Sequence, residues 1–262
     1  MNTSYKKSNF AVAFFFLDKE QRGALSDVYA FCRLVDDIAD EPSDNPQMML
    51  DFWKEEINSV YNGKPSTELG RALARHAKKF NLSQDNFLKL IEGMEMDLHF
   101  KPYQNFEELQ KYLYRVASVV GLMCLEICRV YGPESKEYAL RLGYAVQMTN
   151  IIRDVYEDAA LGRVYLPQED LKTFGVTLED LKQKNTAKTA PLLAHEGALA
   201  AALYDDAAKI KLPYSRKQLF AARVMGSVYH AILNKIQKQK YLFTKKVRLS
   251  TIEKTLSIFK AL

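Results

Sequence analysis

Ser135 to Asp158 reads SKEYALRLGYAVQMTNIIRDVYED, a run with no proline that predicts a long helix ending in the acidic cluster Asp154-Val155-Tyr156-Glu157-Asp158. A cluster of the same shape, Asp36-Asp37-Ile38-Ala39-Asp40, closes an earlier helical stretch. In each, carboxylates recur at i and i+4, so both project from one helix face about a turn apart. Like charges at that spacing repel, and a cation is what best neutralises them. Hard oxygen ligands that leave sites for water and phosphate suit Mg²⁺. Two such faces opposing each other would cage a diphosphate between metal ions.

Asn150, Asp154 and Asp158 extend the second cluster into an i, i+4, i+8 row, with Gln147 a turn further back and Arg153 beside it. Arg33 precedes Asp36 by three residues. Both arginines are placed to neutralise phosphate oxygens that a metal leaves free. The plainer reading of an acidic pair near arginines is a solvated face with local ion pairs. Two clusters, each set among apolar residues and not among lysines, favour a site. Neither has the glycine-containing loop and terminal glutamate of an EF-hand.

Outward from the clusters, three- and four-residue apolar steps predict helices over Glu20–Asp40, Gln47–Tyr61, Glu68–Phe80 and, after an N-cap region at Ser83, to Leu98. Phe106–Tyr131 reads as one long central helix, apolar on most sides, with Ala117, Ser118 and Gly121 as small residues in its middle. Residues 162–175 read as loop and short turns. Two or three further helices fill Leu178–Leu262, with Pro213 and Gly226 as interruptions. No alternating strand pattern occurs. The expected architecture is a single all-α domain, residues 1–262, of about eight or more helices around a central cavity.

Composition narrows the function. The chain has 262 residues, 48% of them hydrophobic, and a formal charge of +5. Its basic residues are dispersed except at the end of the chain, so no nucleic-acid stripe forms, and an anionic small substrate or loose attraction to an acidic membrane surface fits equally well. The odd set Cys32, Cys124 and Cys128 predicts free thiols and a reducing, cytoplasmic compartment. Residues 10–17 are apolar but lack a signal-peptide cleavage site and read as the first turns of a buried helix; no run reaches the length of a membrane span. His76, His99, His195 and His230 lack ligand spacing. Lys245, Lys246 and Arg248 offer peripheral contact with an anionic membrane, an ordinary solvated tail being the plainer reading.

Asp36 to Asp40, Tyr112-Leu113-Tyr114-Arg115-Val116-Ala117-Ser118-Val119-Val120-Gly121 and the run Leu142–Asp154 together resemble the motifs of the squalene and phytoene synthases, which join two prenyl diphosphates head to head on an isoprenoid-synthase-like helix bundle. The likeness runs from Lys7-Ser8-Asn9-Phe10 through Gly162-Arg163-Val164-Tyr165-Leu166-Pro167 to Arg223–Tyr229. Gly93-Met94-Glu95-Met96-Asp97-Leu98 and Lys246-Val247-Arg248-Leu249-Ser250 are similar to the bacterial presqualene diphosphate synthases of hopanoid biosynthesis.

The resemblance implies that Asp36, Asp40, Asn150, Asp154 and Asp158 hold Mg²⁺, and that Arg33, Gln147, Arg153, Arg163 and Tyr229 touch diphosphate or the ions' surroundings. It implies that Ser8 and Phe10 close over the second substrate and that Tyr112 lies near the reacting allyl group. A family arginine near the C-terminus is replaced by Lys246, a point charge in place of a fork. Leu113 and Ser118 stand where the family commonly has cysteine and glycine. Two farnesyl diphosphates would yield presqualene diphosphate and diphosphate in an apolar tunnel. Its candidate walls are Phe14, Phe31, Val116, Ala117, Val120, Gly121, Leu122 and Ile151. The rival products are dehydrosqualene, phytoene or squalene, the last needing NADPH. Rivals of other kinds are a farnesyl diphosphate phosphatase and an inactive helical scaffold. Oligomeric state is open.

Overall fold

A computed structural model describes residues 17–41 and 44–261. The first helix, α1 (Lys19–Asp40), begins at Asp18, whose carboxylate accepts from the Glu20 and Gln21 backbone N–H groups while the Gln21 side chain caps the Asp18 N–H in return. Its row Leu25, Val28, Phe31 and Val35 is buried. Next come α2 (Pro46–Tyr61), with proline at its first position, and α3 (Glu68–Phe80), which ends where Asn81 turns left-handed at φ 51°. α4 (Gln84–Leu98) follows. Ser83 occupies its N-cap position without a capping side-chain bond, and the Ser83 N–H donates instead to Glu126 Oε2 at 3.2 Å.

The helix expected over 106–131 is divided. It comprises α5 (Phe106–Leu113), a π-helical segment (Tyr114–Ser118) and α6 (Val119–Ile127). Widened turns of this kind cluster at functional sites. Ser118 faces Gly143 of α7 (Pro133–Ala160), where a Cβ would meet the Ser118 Cα at 2.6 Å, and the Ser118 hydroxyl donates to the Leu140 carbonyl at 3.2 Å. α7 is the axis of the bundle, packed by the π segment, α5 and α6 on one side and by α9 (Leu178–Lys182), α10 (Thr186–Lys209) and α11 (Phe220–Lys238) on the other.

Residues 162–175, read as loop and short turns, contain the short α8 (Gln168–Thr173). Among the described residues from Leu178 on there are four helices rather than two or three, the last being α12 (Thr251–Ala261). Pro213 lies in the break between α10 and α11, as expected, but Gly226 lies inside α11. Its missing side chain admits Leu142, whose Cδ1 would be 2.9 Å from a Cβ there, so this glycine serves close helix packing and not chain breaking. Among the described residues no strand occurs, and no helix is long and apolar enough to cross a membrane. Residues 10–16 of the expected first buried turns lie outside the described residues; Leu17 is buried.

Two buried glutamates have opposite fates. Burial alone would raise the pKa of Glu56, but hydrogen bonds from the backbone and hydroxyl groups of Ser66 and Thr67 outweigh it and hold it below its usual value. Glu196 on α10 is 0% exposed, and neither carboxyl oxygen has a hydrogen-bond partner. Burial, then the nearby Asp170 carboxylate, pushes it up to about 8. The unfolded chain thus loses this proton near the ordinary glutamate pKa while the folded chain holds it, so the group lowers stability progressively as pH rises from about 4.5 towards 8.

Glu196→Gln is expected to raise stability by on the order of 2 kcal/mol at pH 8 and by less at pH 5, read from denaturant unfolding at the two pH values. Gly143→Ala, which forces a methyl into the Ser118 backbone, should cost about 1–3 kcal/mol in the same assay.

Candidate active site

The last two turns of α1 carry Arg33, Asp36 and Asp40, and the second half of α7 carries Gln147, Asn150, Arg153, Asp154 and Asp158; all eight border one cavity of about 590 Å³. Tyr112 of α5, Arg163 after α7 and Tyr229 of α11 border it too. Every predicted site residue among those described therefore faces the same hollow. Ser8 and Phe10 lie outside the described residues.

Arg163 ties the two acidic clusters together. Its backbone N–H donates to the Asp158 carbonyl at 2.9 Å, while its guanidinium reaches across to Asp40 Oδ1 at 2.8 Å. The other cations sit on acids as well. Arg33 pairs with Asp36 at 2.9 Å and with Asp37 at 2.5 Å, and Arg153 grips Asp154 in a two-point fork at 2.7 and 2.5 Å. Lys246 Nζ approaches Asp154 Oδ2 at 2.8 Å. Arg33, Arg153 and Lys246 thus each pair with a carboxylate of the site.

Burial leads the pKa shifts of this mouth. It raises Asp36 to about 6, with the neighbouring Asp40 carboxylate adding to the rise, and it raises Asp158 to about 7, with Asp154 adding. Asn150 donates from Nδ2 to Gln147 Oε1 at 3.1 Å, and its buried Oδ1 has no partner. Among the described residues, no group of three or more acidic, histidine or cysteine side chains stands in ready-made metal geometry. The donor set is nonetheless of the kind a hard cation takes: mutually repelling carboxylates on two helices and an orphaned amide oxygen in line with one pair.

Sequence reading missed two participants. Asp97 of α4 borders the cavity and accepts the Tyr112 hydroxyl at 2.9 Å and the Tyr165 hydroxyl at 2.7 Å. Burial raises its pKa to about 6 against the opposing pull of those bonds. The Tyr112 and Tyr165 rings stack at 5.1 Å, and burial beside Asp97 pushes the Tyr112 hydroxyl far up. The available signal was an acid on the apolar row Phe87, Leu90, Ile91 and Met94, a place where burial demands a partner.

Below the acids the wall is apolar. Val116, Ala117, Val120, Gly121 and Ile151 line it as expected. Phe31 does not: its ring packs edge-on against Trp53 and Phe87 at 5.7 and 5.3 Å on the far side of α1. Leu122 faces a separate hollow beside Glu126, and Phe14 lies outside the described residues. The free thiols of Cys32 and Cys124 also border the cavity, and burial pushes Cys32 up to about 12.

A helix bundle that opens an apolar hollow beneath two facing acidic helix ends is the isoprenoid-synthase-like architecture. A crystallised dehydrosqualene synthase superposes with a TM-score of 0.87 at 30% identity, covering 99% of this chain and 92% of that one. The family model for squalene/phytoene synthase matches residues 4–253, and the chain belongs to that family. Phytoene synthase 1 of Solanum lycopersicum is 36% identical over 250 residues, 91% of this chain, which spans 60% of that protein's length. Presqualene diphosphate synthase of Rhodopseudomonas palustris is 35% identical over 230 residues, 86% of this chain and 82% of its own.

Tyr165→Phe, which leaves the buried Asp97 with one hydroxyl donor, is expected to cost about 1–3 kcal/mol of stability by thermal unfolding.

Proposed function

We propose that this chain condenses two molecules of farnesyl diphosphate head to head into presqualene diphosphate, releasing diphosphate. The observation that carries the reading is the pair of acidic helix ends, joined by Arg163, over one apolar hollow. The likeness to presqualene diphosphate synthase of Rhodopseudomonas palustris supports the product.

Asp36 and Asp40 on one side and Asn150, Asp154 and Asp158 on the other would hold Mg²⁺. A bound divalent cation supplies Lewis-acid stabilisation of the departing diphosphate. Arg33, Arg163 and Lys246, freed from their carboxylates by that added charge, can turn their donors to phosphate oxygens, and the fork of Arg163 suits two of them at once. In the reaction the allylic C1–O bond of one substrate breaks, the C2=C3 bond of the other attacks C1, and loss of a proton to the released diphosphate closes a cyclopropane. Val116, Ala117, Val120 and Ile151 keep water from the cation while it exists. Tyr112, held by Asp97, presents its ring at the wall, where the aromatic face is attractive to positive charge. Gln147 and Tyr229 would steady the second diphosphate.

The likeness to phytoene synthase 1 of Solanum lycopersicum favours a second reading, the same condensation of longer prenyl diphosphates. Incubation with farnesyl diphosphate and Mg²⁺, with and without NADPH, separates the products. A C30 diphosphate in both is expected. A C30 hydrocarbon, free farnesol, or turnover of geranylgeranyl diphosphate alone would each overturn the reading. Asp36→Asn and Asp154→Asn should each lower product formation at least about 10²-fold and weaken Mg²⁺-dependent diphosphate binding by calorimetry, with the helical circular dichroism retained.

A further inference from the structure

The last helix is seated inside out. α12 runs antiparallel to α11, held by polar contacts: the Arg223 guanidinium donates to the Ala261 carbonyl at 2.8 Å, the Ser227 hydroxyl to the Ser257 carbonyl at 2.6 Å, and Lys235 pairs with Glu253 at 2.8 Å. The face turned to the protein is mostly small and polar, with Ser257 and Ala261 buried and Ile258 its one large apolar residue packed against the core. The outward face carries Ile252, Leu256 and Phe259 at i, i+4 and i+7, and these are 73%, 56% and 65% exposed. A helix that only covered a core would point those three inward. A continuous exposed apolar stripe of this kind marks a surface that is covered by something else.

Charge identifies what covers it. From residue 207 to residue 262 the chain holds thirteen lysines and arginines against one acid, Glu253, which Lys235 already neutralises. Exposed Lys238 ends α11, exposed Lys240, Lys245 and Arg248 lie between it and the start of α12, and Lys260 flanks the stripe one turn beyond Leu256. A second copy of the chain is a poor occupant, because a two-fold contact through α12 would bring this basic segment against itself. An anionic phospholipid surface satisfies both the stripe and its surroundings.

We propose that α12 lies in the interface of an anionic bilayer, with Ile252, Leu256 and Phe259 at the acyl boundary and the neighbouring cations on lipid phosphates. This goes beyond the proposed condensation, which needs no membrane, and rests on it only for its use: a C30 prenyl product has to be delivered into lipid.

The test is flotation of the full chain, without substrate, on phosphatidylcholine vesicles with and without phosphatidylglycerol. Binding is expected only where phosphatidylglycerol is present, weakening as salt rises. The double variant Leu256→Ser with Phe259→Ser should lose about tenfold or more in vesicle affinity, and Lys260→Glu should lose affinity for the anionic vesicles too. Both variants should melt as the parent does and turn over substrate at the parental rate in vesicle-free buffer. Absence of flotation, equal binding by parent and double variant, or a dimer by light scattering that Phe259→Ser disperses would overturn the proposal. Because binding is read without turnover, failure of the condensation reading leaves this result untouched, and the converse holds.

Discussion

Carboxylates of like charge, drawn close and half-removed from water at the ends of α1 and α7, set the terms for everything around them. Burial and mutual repulsion raise Asp36 and Asp158 well above ordinary aspartates. Such an arrangement persists only because cations from several elements lean on it. Arg33 comes from the same helix, Arg153 from the adjacent position, Arg163 from the following loop and Lys246 from the segment before α12. Each pairing consumes charge that a ligand could otherwise use, so the site is a set of exchangeable ion pairs. Anions and cations arriving together would replace internal partners one for another, which keeps the net cost of opening those pairs small.

The hollow beneath depends on close backbone approach. Gly143 lets α7 meet the π segment at Ser118, and Gly226 lets α11 accept Leu142. Val116 and Ala117 of the widened turn border the cavity. Asp97 adds a second tier, fixing Tyr112 and Tyr165 as stacked rings whose hydroxyls are fully engaged. Beside Val116, Ala117, Val120 and Ile151, these rings leave the cavity wall below the acidic mouth largely apolar.

Helices were legible where the chain carries its own punctuation. Asp18, the Asn45-Pro46 pair and Thr67 cap helix starts, and Asn81 stops α3 in the left-handed region, so α1 to α4 fall within a residue or two of their expected limits. The acidic row on α7 was legible because spacing of three and four fixes which side chains share a face whatever surrounds them. The π segment was not, since its sequence keeps a helical apolar pattern and its close neighbours, Gly143 of α7 and Gly93 of α4, come from distant parts of the chain. Phe31 and Leu122 were misplaced for a related reason: an apolar residue reports that it is buried and not against what.

By itself the sequence determined that the chain is helical, that two acidic faces exist and which residues each contains, because these follow from local periodicity and charge. Tertiary structure alone decided that the faces share one cavity, that Arg163 spans them, that Asp97 holds two tyrosines and that α12 turns its apolar side outward. Those are relations between residues up to 123 positions apart, as Arg163 is from Asp40, and such distances are set by how helices pack and not by any local preference of the chain.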